Sequence, residues 1–315
     1  MTLLRAGIVV CVIAVAAAPA RAQFPGELNP IIQPQNLTRI AAHTWEIPDN
    51  GATFVPNVGI VVGSKATLII DTGLGERNGA IVLDAARTLS DNSLFYLAAT
   101  HFHPEHDLGA GAFPDAALLV RWAGQQREVD DFGEATIARF SSFAPIVAEL
   151  LERTAYRPAD VEFPDELTLD LGGVHVRVIG VGPNHTLGDT VFFVAEDRVL
   201  FTGDVVMPGF PAASTQYGDI EKWIANMDVF ESLDPAVVVP AHGRLLDVGG
   251  VRLYREYLHA VRDSATTLAS SRQTDATARE SAAAAIAARF PTLQPDNGPG
   301  TGRIVAALGM VLRAE

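Results

Sequence analysis

Cysteine is nearly missing. Cys11 is the only one in 315 residues, and it lies in an apolar stretch at the N-terminus. Met1 to Ala22 carries Arg5, the apolar run Ala6 to Ala18 and the small-x-small box Ala20-Arg21-Ala22, the form of a cleaved secretory signal. A membrane span needs about 20 apolar residues. This run is shorter and no second one follows, so residues 1–22 read as a signal peptide and the chain as periplasmic or secreted, without membrane attachment after cleavage. The remaining chain has no thiol, which excludes disulfides, thiolate metal ligands and a cysteine nucleophile.

Basic residues are also scarce. Lys and Arg number 23 against 37 Asp and Glu, a formal charge of -14 that becomes -16 when Arg5 and Arg21 leave with the signal. Nucleic acid and anionic lipid are bound by clustered Lys and Arg that displace counterions, and no such cluster occurs here. The composition points instead to a small-molecule substrate. No internal repeat is visible, and the 293 residues after the signal suffice for a sizeable core.

Residues 23–36, with Pro25, Pro30 and Pro34, read as an extended N-terminal arm. Arg39 to Ile47, Phe54 to Val62 and Ala66 to Asp71 are rich in β-formers between Pro, Gly and Asn turn signals, and predict consecutive antiparallel strands. Ile81, Val82, Ala85, Ala86 and Leu89 fall at helical spacing within 78–89, before an apolar strand at 94–100. A mostly helical stretch over 121–157 follows. Strands return at 166–171, 174–180, 190–195 and 199–202, then a helix at 220–233 and a strand at 236–239. Helices over 251–271 and 274–290 follow these strands. Strands in two runs, each finishing with helices, predict an α/β fold of two similar halves packed sheet to sheet with helices outside.

The chemistry concentrates at Thr100-His101-Phe102-His103-Pro104-Glu105-His106-Asp107, three histidines and two carboxylates directly after an apolar strand. Residues i and i+2 of a strand share a side, so His101 and His103 can converge on one ion. Pro104 keeps His103 extended and suits the first position of a helix, which places Glu105 and His106 on its first turn. Three more β-rich runs end in a potential ligand beside Gly or Pro: Val181-Gly182-Pro183-Asn184-His185-Thr186, Leu200-Phe201-Thr202-Gly203-Asp204 and Val239-Pro240-Ala241-His242-Gly243. Imidazole nitrogen and carboxylate oxygen suit zinc, and iron or manganese accept the same donors. His43, His175 and His259 lie outside these runs, and Tyr217 and Trp223 read as core or rim residues.

This pattern resembles the metallo-β-lactamase superfamily, whose first motif is His-x-His-x-Asp-His, followed by a distant His, an Asp and a final His. The resemblance spans roughly residues 39–244 and implies a four-layer αββα sandwich, with 37–315 forming a single domain that includes the C-terminal helices. It implies that His101, His103 and His185 hold one metal, that Glu105, His106 and His242 hold the second, and that Asp204 bridges them. Glu105 and Asp204 are then the candidate catalytic carboxylates. Asp71, in Ile70-Asp71-Thr72-Gly73, matches the family's Asp-Thr-Gly turn that supports the site, and Asp189 stands where the family has a polar residue near the histidine. The chain departs from the family at Glu105, where most members have Asp; the extra methylene moves the carboxylate by about 1.5 Å. Asp107 adjoins it, but one helical position turns a side chain by about 100° and aims it elsewhere.

The expected function is a zinc-dependent hydrolase with one or two ions, in which a metal-bound hydroxide attacks the carbonyl of an ester, thioester or lactone. The bridging Asp204 and the missing cysteine ligand favour the thioesterase and lactonase branches. Periplasmic β-lactam hydrolysis, iron-dependent persulfide dioxygenation and a non-catalytic metal-binding accessory role are the alternatives.

Overall fold

The computed structural model describes residues 28–209, 217–294 and 300–314. The signal segment, the start of the arm and most of the 209–213 loop lie outside them. Two sheets face each other. The first has seven strands in sequential order: β1 (Thr38–Arg39), β2 (Thr44–Ile47), β3 (Val58–Val62), β4 (Thr67–Ile70), β5 (Phe95–Ala98), β6 (Leu118–Trp122) and β7 (Val161–Phe163). The second has five, in the order β12 (Val237–Pro240), β11 (Val199–Gly203), β10 (Thr190–Val194), β9 (His175–Gly180) and β8 (Glu166–Asp170).

β1 to β4 pair antiparallel, as expected, although the first expected strand is broken by a bend into β1 and β2. From β4 to β7 the pairing is parallel, with α1 (Gly75–Arg87) crossing from β4 to β5, and α3 (Ala123–Ser141) and α4 (Pro145–Leu150) crossing from β6 to β7. β11 and β12 are likewise parallel, joined through α5 (Ile220–Ser232). A short α2 (Pro104–Asp107) follows β5. The chain continues through α6 (Val248–Ser271), α7 (Ala276–Arg289) and α8 (Thr301–Ala314). β6, β7 and α8 were not among the elements expected from the sequence.

The core divides as a four-layer sandwich requires. Val61, Leu68 and Ile70 of the first sheet meet Val176, Val178, Phe192 and Phe201 of the second in the central layer. On the outer face of the first sheet, Ile60, Ile69 and Leu97 pack on Val82, Leu83 and Ala86 of α1. Val191, Leu200 and Val238, on the outer face of the second, pack on Trp223, Met227 and Phe230 of α5, Tyr254 and Val261 of α6, and Ile304 and Leu308 of α8. Alternation along each strand feeds one side chain to the centre and the next outward, so both faces of both sheets are buried. The α/β sandwich expected from the sequence is the fold observed.

The described part of the arm, residues 28–36, is docked on α1. Ile32 is buried, its N–H donates to Asn78 Oδ1 at 2.8 Å, and Asn78 Nδ2 donates to the Pro30 carbonyl at 2.9 Å. Asp247 caps the N-terminus of α6 by accepting from Gly250 N, and α5 is capped by Asp219 accepting from Glu221 N and Lys222 N.

One buried carboxylate gives the fold a pH signature. Glu46 on β2 shares the inward face of Thr44, and burial, followed by the charge of Asp49, raises its pKa from 4.5 to about 7. A raised carboxyl pKa favours the folded state below about 4.5, where both states hold the proton, and this contribution fades as pH rises through about 7. Glu46→Gln is therefore expected to be nearly neutral at pH 5 and to raise stability at pH 8 by at most about 3 kcal/mol. Urea midpoints at the two pH values measure this, and a difference that does not change between them would count against it.

Candidate metal centre

β4, β5, β9, β11 and β12 all deliver the chemistry from their C-terminal ends, the edge at which open α/β sheets present their sites. β5 stops at Ala98, and residues 99–103 form a bend before α2. His101 and His103 are therefore not on a strand, as the i, i+2 argument assumed. They converge nonetheless, with His101 Nε2 3.0 Å from His103 Nδ1. Pro104 opens α2 and His103 is extended (φ -61°, ψ 146°), as expected, so Glu105 and His106 sit on the first turn.

The expected residues come together. His101, His103 and His185 form one group of potential ligands, Glu105, His106 and His242 a second, and His101, His106 and Asp204 a third, each with its donor atoms within 4.8 Å of one another. His185 Nε2 lies 3.4 Å from His103 Nδ1 and 3.4 Å from Asp204 Oδ2, and Asp204 Oδ1 lies 3.9 Å from His242 Nε2. Asp204 thus stands between the two sets of imidazoles. Glu105 reaches the second group despite its longer side chain, its Oε1 4.0 Å from His106 Nε2. Asp107 does not take part. It faces Arg121 of β6, whose Nη2 is 3.1 Å from Oδ1 and 2.9 Å from Oδ2, both side chains almost fully buried.

Asp71 has φ +63° at the end of β4, a left-handed conformation that aims its carboxylate back across the sheet edge. It accepts from Thr100 N at 2.7 Å and Thr100 Oγ1 at 3.0 Å, and its Oδ2 is 2.9 Å from His106 Nδ1. One carboxylate therefore fixes both the start of the motif and the ring of His106. Gly203, just before Asp204, also has positive φ (+57°), and a Cβ there would meet Thr100 Cβ at 2.6 Å. Only glycine lets the β11 turn approach the histidine motif this closely.

Several positioning residues carry no sequence signal. Gln125 of α3 donates to the carbonyls of Ala99 at 3.0 Å and Gly188 at 3.1 Å, and Glu128 accepts from Leu187 N and Gly188 N at 3.0 and 2.7 Å. Helix α3 so ties the segment before His101 to the one after His185. Asp189 closes the latter loop by accepting from Asn184 N, Thr186 N and Thr186 Oγ1, and Asn226 of α5 donates to Val181 O and Asn184 Oδ1. Asp49 and Asn57, in the loop between β2 and β3, hold the His242 turn. Apart from those of Asp189, which stay within its own loop and which the family resemblance had already singled out, these contacts bridge tens to nearly two hundred positions, beyond the reach of local patterning.

Of the remaining histidines, His43 and His175 behave as structural groups. His43 pairs with Asp197 at 3.0 Å and His175 with Glu196 at 2.7 Å, both at strand ends away from the cluster. Trp223 is core, its Nε1 donating to Val205 O, and Tyr217 is exposed and stacks on Phe132.

Charge in the cluster is arranged for a cation. Burial, then neighbouring imidazoles, hold His101 and His103 well below the usual histidine range, so both present neutral nitrogens. Burial would raise Asp204, but His242, His185, His106 and His103 outweigh it and hold the carboxyl at about 2. Burial would lower His106, but the charge and hydrogen bond of Asp71, with Glu105 and Asp204, carry it up to about 9. These carboxylates call for a positive charge at His106 Nε2. Glu105 Oε2, His106 Nε2 and Asp204 Oδ1 are all buried without a hydrogen-bond partner. Unsatisfied buried polar atoms cost about 1–3 kcal/mol each, so three of them within one cluster fit a metal ion.

A two-sheet α/β sandwich with a histidine and carboxylate cluster that could hold metal ions at one strand edge is the metallo-hydrolase architecture. The sequence profile of the metallo-beta-lactamase superfamily matches residues 51–242, and the chain belongs to that superfamily. It is 25% identical over 237 residues to a linear primary-alkylsulfatase of a Pseudomonas species, covering 65% of this chain and 44% of that one. It is also 25% identical over 215 residues to an acyl-coenzyme A thioesterase of Homo sapiens, covering 63% and 76%. A stereoselective inverting sec-alkylsulfatase from Pseudomonas shares the fold, with a TM-score of 0.65 and 14% identity over 88% of this chain and 50% of that chain. The chain spans half or less of the alkylsulfatases it matches.

Proposed function

We propose that this chain is an exported zinc-dependent hydrolase acting on a small ester or thioester with an apolar acyl group. The observation that carries the reading is the convergence of five imidazoles and two carboxylates with inward-facing atoms that no protein group satisfies. His101, His103 and His185 would hold one ion, Glu105, His106 and His242 a second, with Asp204 between them. A nitrogen-rich set with carboxylates and no thiolate suits zinc. Zinc there supplies Lewis acidity that polarises a carbonyl and makes water nucleophilic near neutral pH.

The chain's own groups supply the rest. Neutral His101 and His103 donate lone pairs without first losing a proton, Asp204 stays ionised across the working range, and Asp71 fixes the ring of His106. His103 and His242 are the half-buried members of the cluster. The flank at His103 is apolar, with Phe140 5.3 Å from the His103 ring and Phe54 and Phe143 5.7 and 5.2 Å from Phe140. An apolar acyl chain fits that wall, in keeping with the acyl thioester named for the human relative. The alkylsulfatase relatives favour a second reading, in which the same wall takes the alkyl chain of a sulfate ester.

Metal analysis of protein purified without added metal, together with turnover of an acyl-coenzyme A thioester, an aliphatic ester, a lactone, an alkyl sulfate and a β-lactam, tests this. Two zinc ions per chain and preferential thioester or ester hydrolysis are expected. Preferential alkyl sulfate hydrolysis would select the second reading, iron with oxygen uptake on a persulfide would replace both, and a chain without transition metal would end the metal-centre reading.

A further inference from the structure

The imidazoles of the second group are backed unequally at first sight. Asp71 stands directly behind His106, Oδ2 to Nδ1 at 2.9 Å. Behind His242 stands another carboxylate, Asp49, its Oδ2 3.9 Å from Nδ1. Asp49 is 6% exposed and built into place. Its N–H donates to Asn57 Oδ1 at 2.7 Å, and its Oδ2 accepts from Gly243 N at 3.0 Å. Asn57 completes the clamp by donating from Nδ2 to the carbonyls of Pro240 at 2.9 Å and Gly243 at 2.8 Å, and from its backbone N–H to Ala241 O at 2.7 Å. The loop between β2 and β3 thus grips the chain on both sides of His242, at a glycine (Gly243, φ +88°) where a Cβ would meet Pro208 O at 2.7 Å.

We infer that Asp49 is a positioning residue for His242, a carboxylate that orients the imidazole and keeps its proton on Nδ1 so that Nε2 faces Asp204 and the second ion. The inference rests on the two-ion reading above and adds a group that shapes the second of its two sites. At 3.9 Å the contact is an ion-pair approach and not yet a hydrogen bond. An imidazole that ligates through Nε2 ordinarily gives its Nδ1–H to a carboxylate or carbonyl, which fixes the tautomer and raises ligand basicity. Asp49 approaches that nitrogen of His242, as Asp71 does for His106. Both histidines of the Glu105 group thus have a carboxylate on the Nδ1 side, one at hydrogen-bond and one at ion-pair distance, drawn from loops 22 positions apart in sequence (71 minus 49).

Zinc titration against a chromophoric chelator, with the cobalt(II) spectrum of the loaded protein as a second readout, tests this on the wild type, Asp49→Asn and Asp49→Glu. Asn keeps an oxygen for Gly243 N–H and removes the charge, while Glu keeps the charge and disturbs the fit. The expected result is an unchanged first equivalent in all three. The second equivalent should weaken about 10- to 100-fold in Asp49→Asn, with Asp49→Glu between the two. A merely structural tether gives the opposite order, Asn like the wild type and Glu worse, and that order overturns the inference while leaving the two-ion reading intact. Equal weakening of both equivalents in Asp49→Asn overturns it too. A wild-type chain that binds no second ion overturns the two-ion reading itself, and the inference with it.

Discussion

Asp204→Ala is expected to lower turnover of the best substrate by about 10³-fold or more, with the loss in kcat rather than KM, and to reduce bound metal below two ions per chain. Asp204 lies 3.4 Å from His185 and 3.9 Å from His242, in contact with both sets of imidazoles, and the four histidines around it keep it ionised. Removing it leaves five imidazoles without the carboxylate that balances a cation between them. Lewis-acid stabilisation is worth several kcal/mol in such sites, and each 1.36 kcal/mol is a factor of ten in rate. Metal content and kcat on the same preparation check the prediction. A variant that keeps both ions and most of its activity would show that Asp204 only shapes the β11 turn.

Asp107→Ala is expected to cost about 3–5 kcal/mol of stability, the largest single effect outside the metal centre. Its carboxylate and the Arg121 guanidinium are each 1% exposed in the side chain and 2.9 Å apart, and burial pushes the Asp107 carboxyl up while Arg121 pulls it down. Truncating Asp107 strands the guanidinium in the interior. An apolar replacement of both partners, Asp107→Leu with Arg121→Met, should recover most of the loss, because neither charge then needs solvation. Urea midpoints of the single and double variants measure this, and a single variant within about 1 kcal/mol of the wild type would contradict it.

The metal centre was legible in the sequence because its chemistry is carried by short segments whose order along the chain is distinctive. His101, His103, Glu105 and His106 are neighbours, and His185, Asp204 and His242 each follow a β-rich run and stand beside Gly or Pro or close to one. The strand argument for His101 and His103 reached the right convergence by the wrong local geometry, since β5 ends before them and a bend brings their rings together. Glu105 shows the opposite case: its length suggested a displaced carboxylate, yet it lies in the second group. Elements were missed where the local pattern was short or interrupted. β7 has three residues between Pro158 and Pro164, β6 runs straight into α3, and α8 begins at Thr301 between two glycines, although Ile304, Ala307, Leu308 and Val311 keep a helical period.

Residue type and spacing by themselves determined the two-sheet α/β architecture and the candidate donor atoms of the centre, because periodicity and ligand identity are properties of neighbouring residues. Only the tertiary structure decided what holds those donors: Asp71 behind His106, Asp49 and Asn57 around His242, Gln125 and Glu128 across two loops, and Asp107 turned to Arg121. Each is a contact between segments set side by side by sheet register and helix packing. A carboxylate's role as ligand, clamp or ion-pair partner depends on which groups the fold places within about 4 Å of it, and the sequence does not encode that locally.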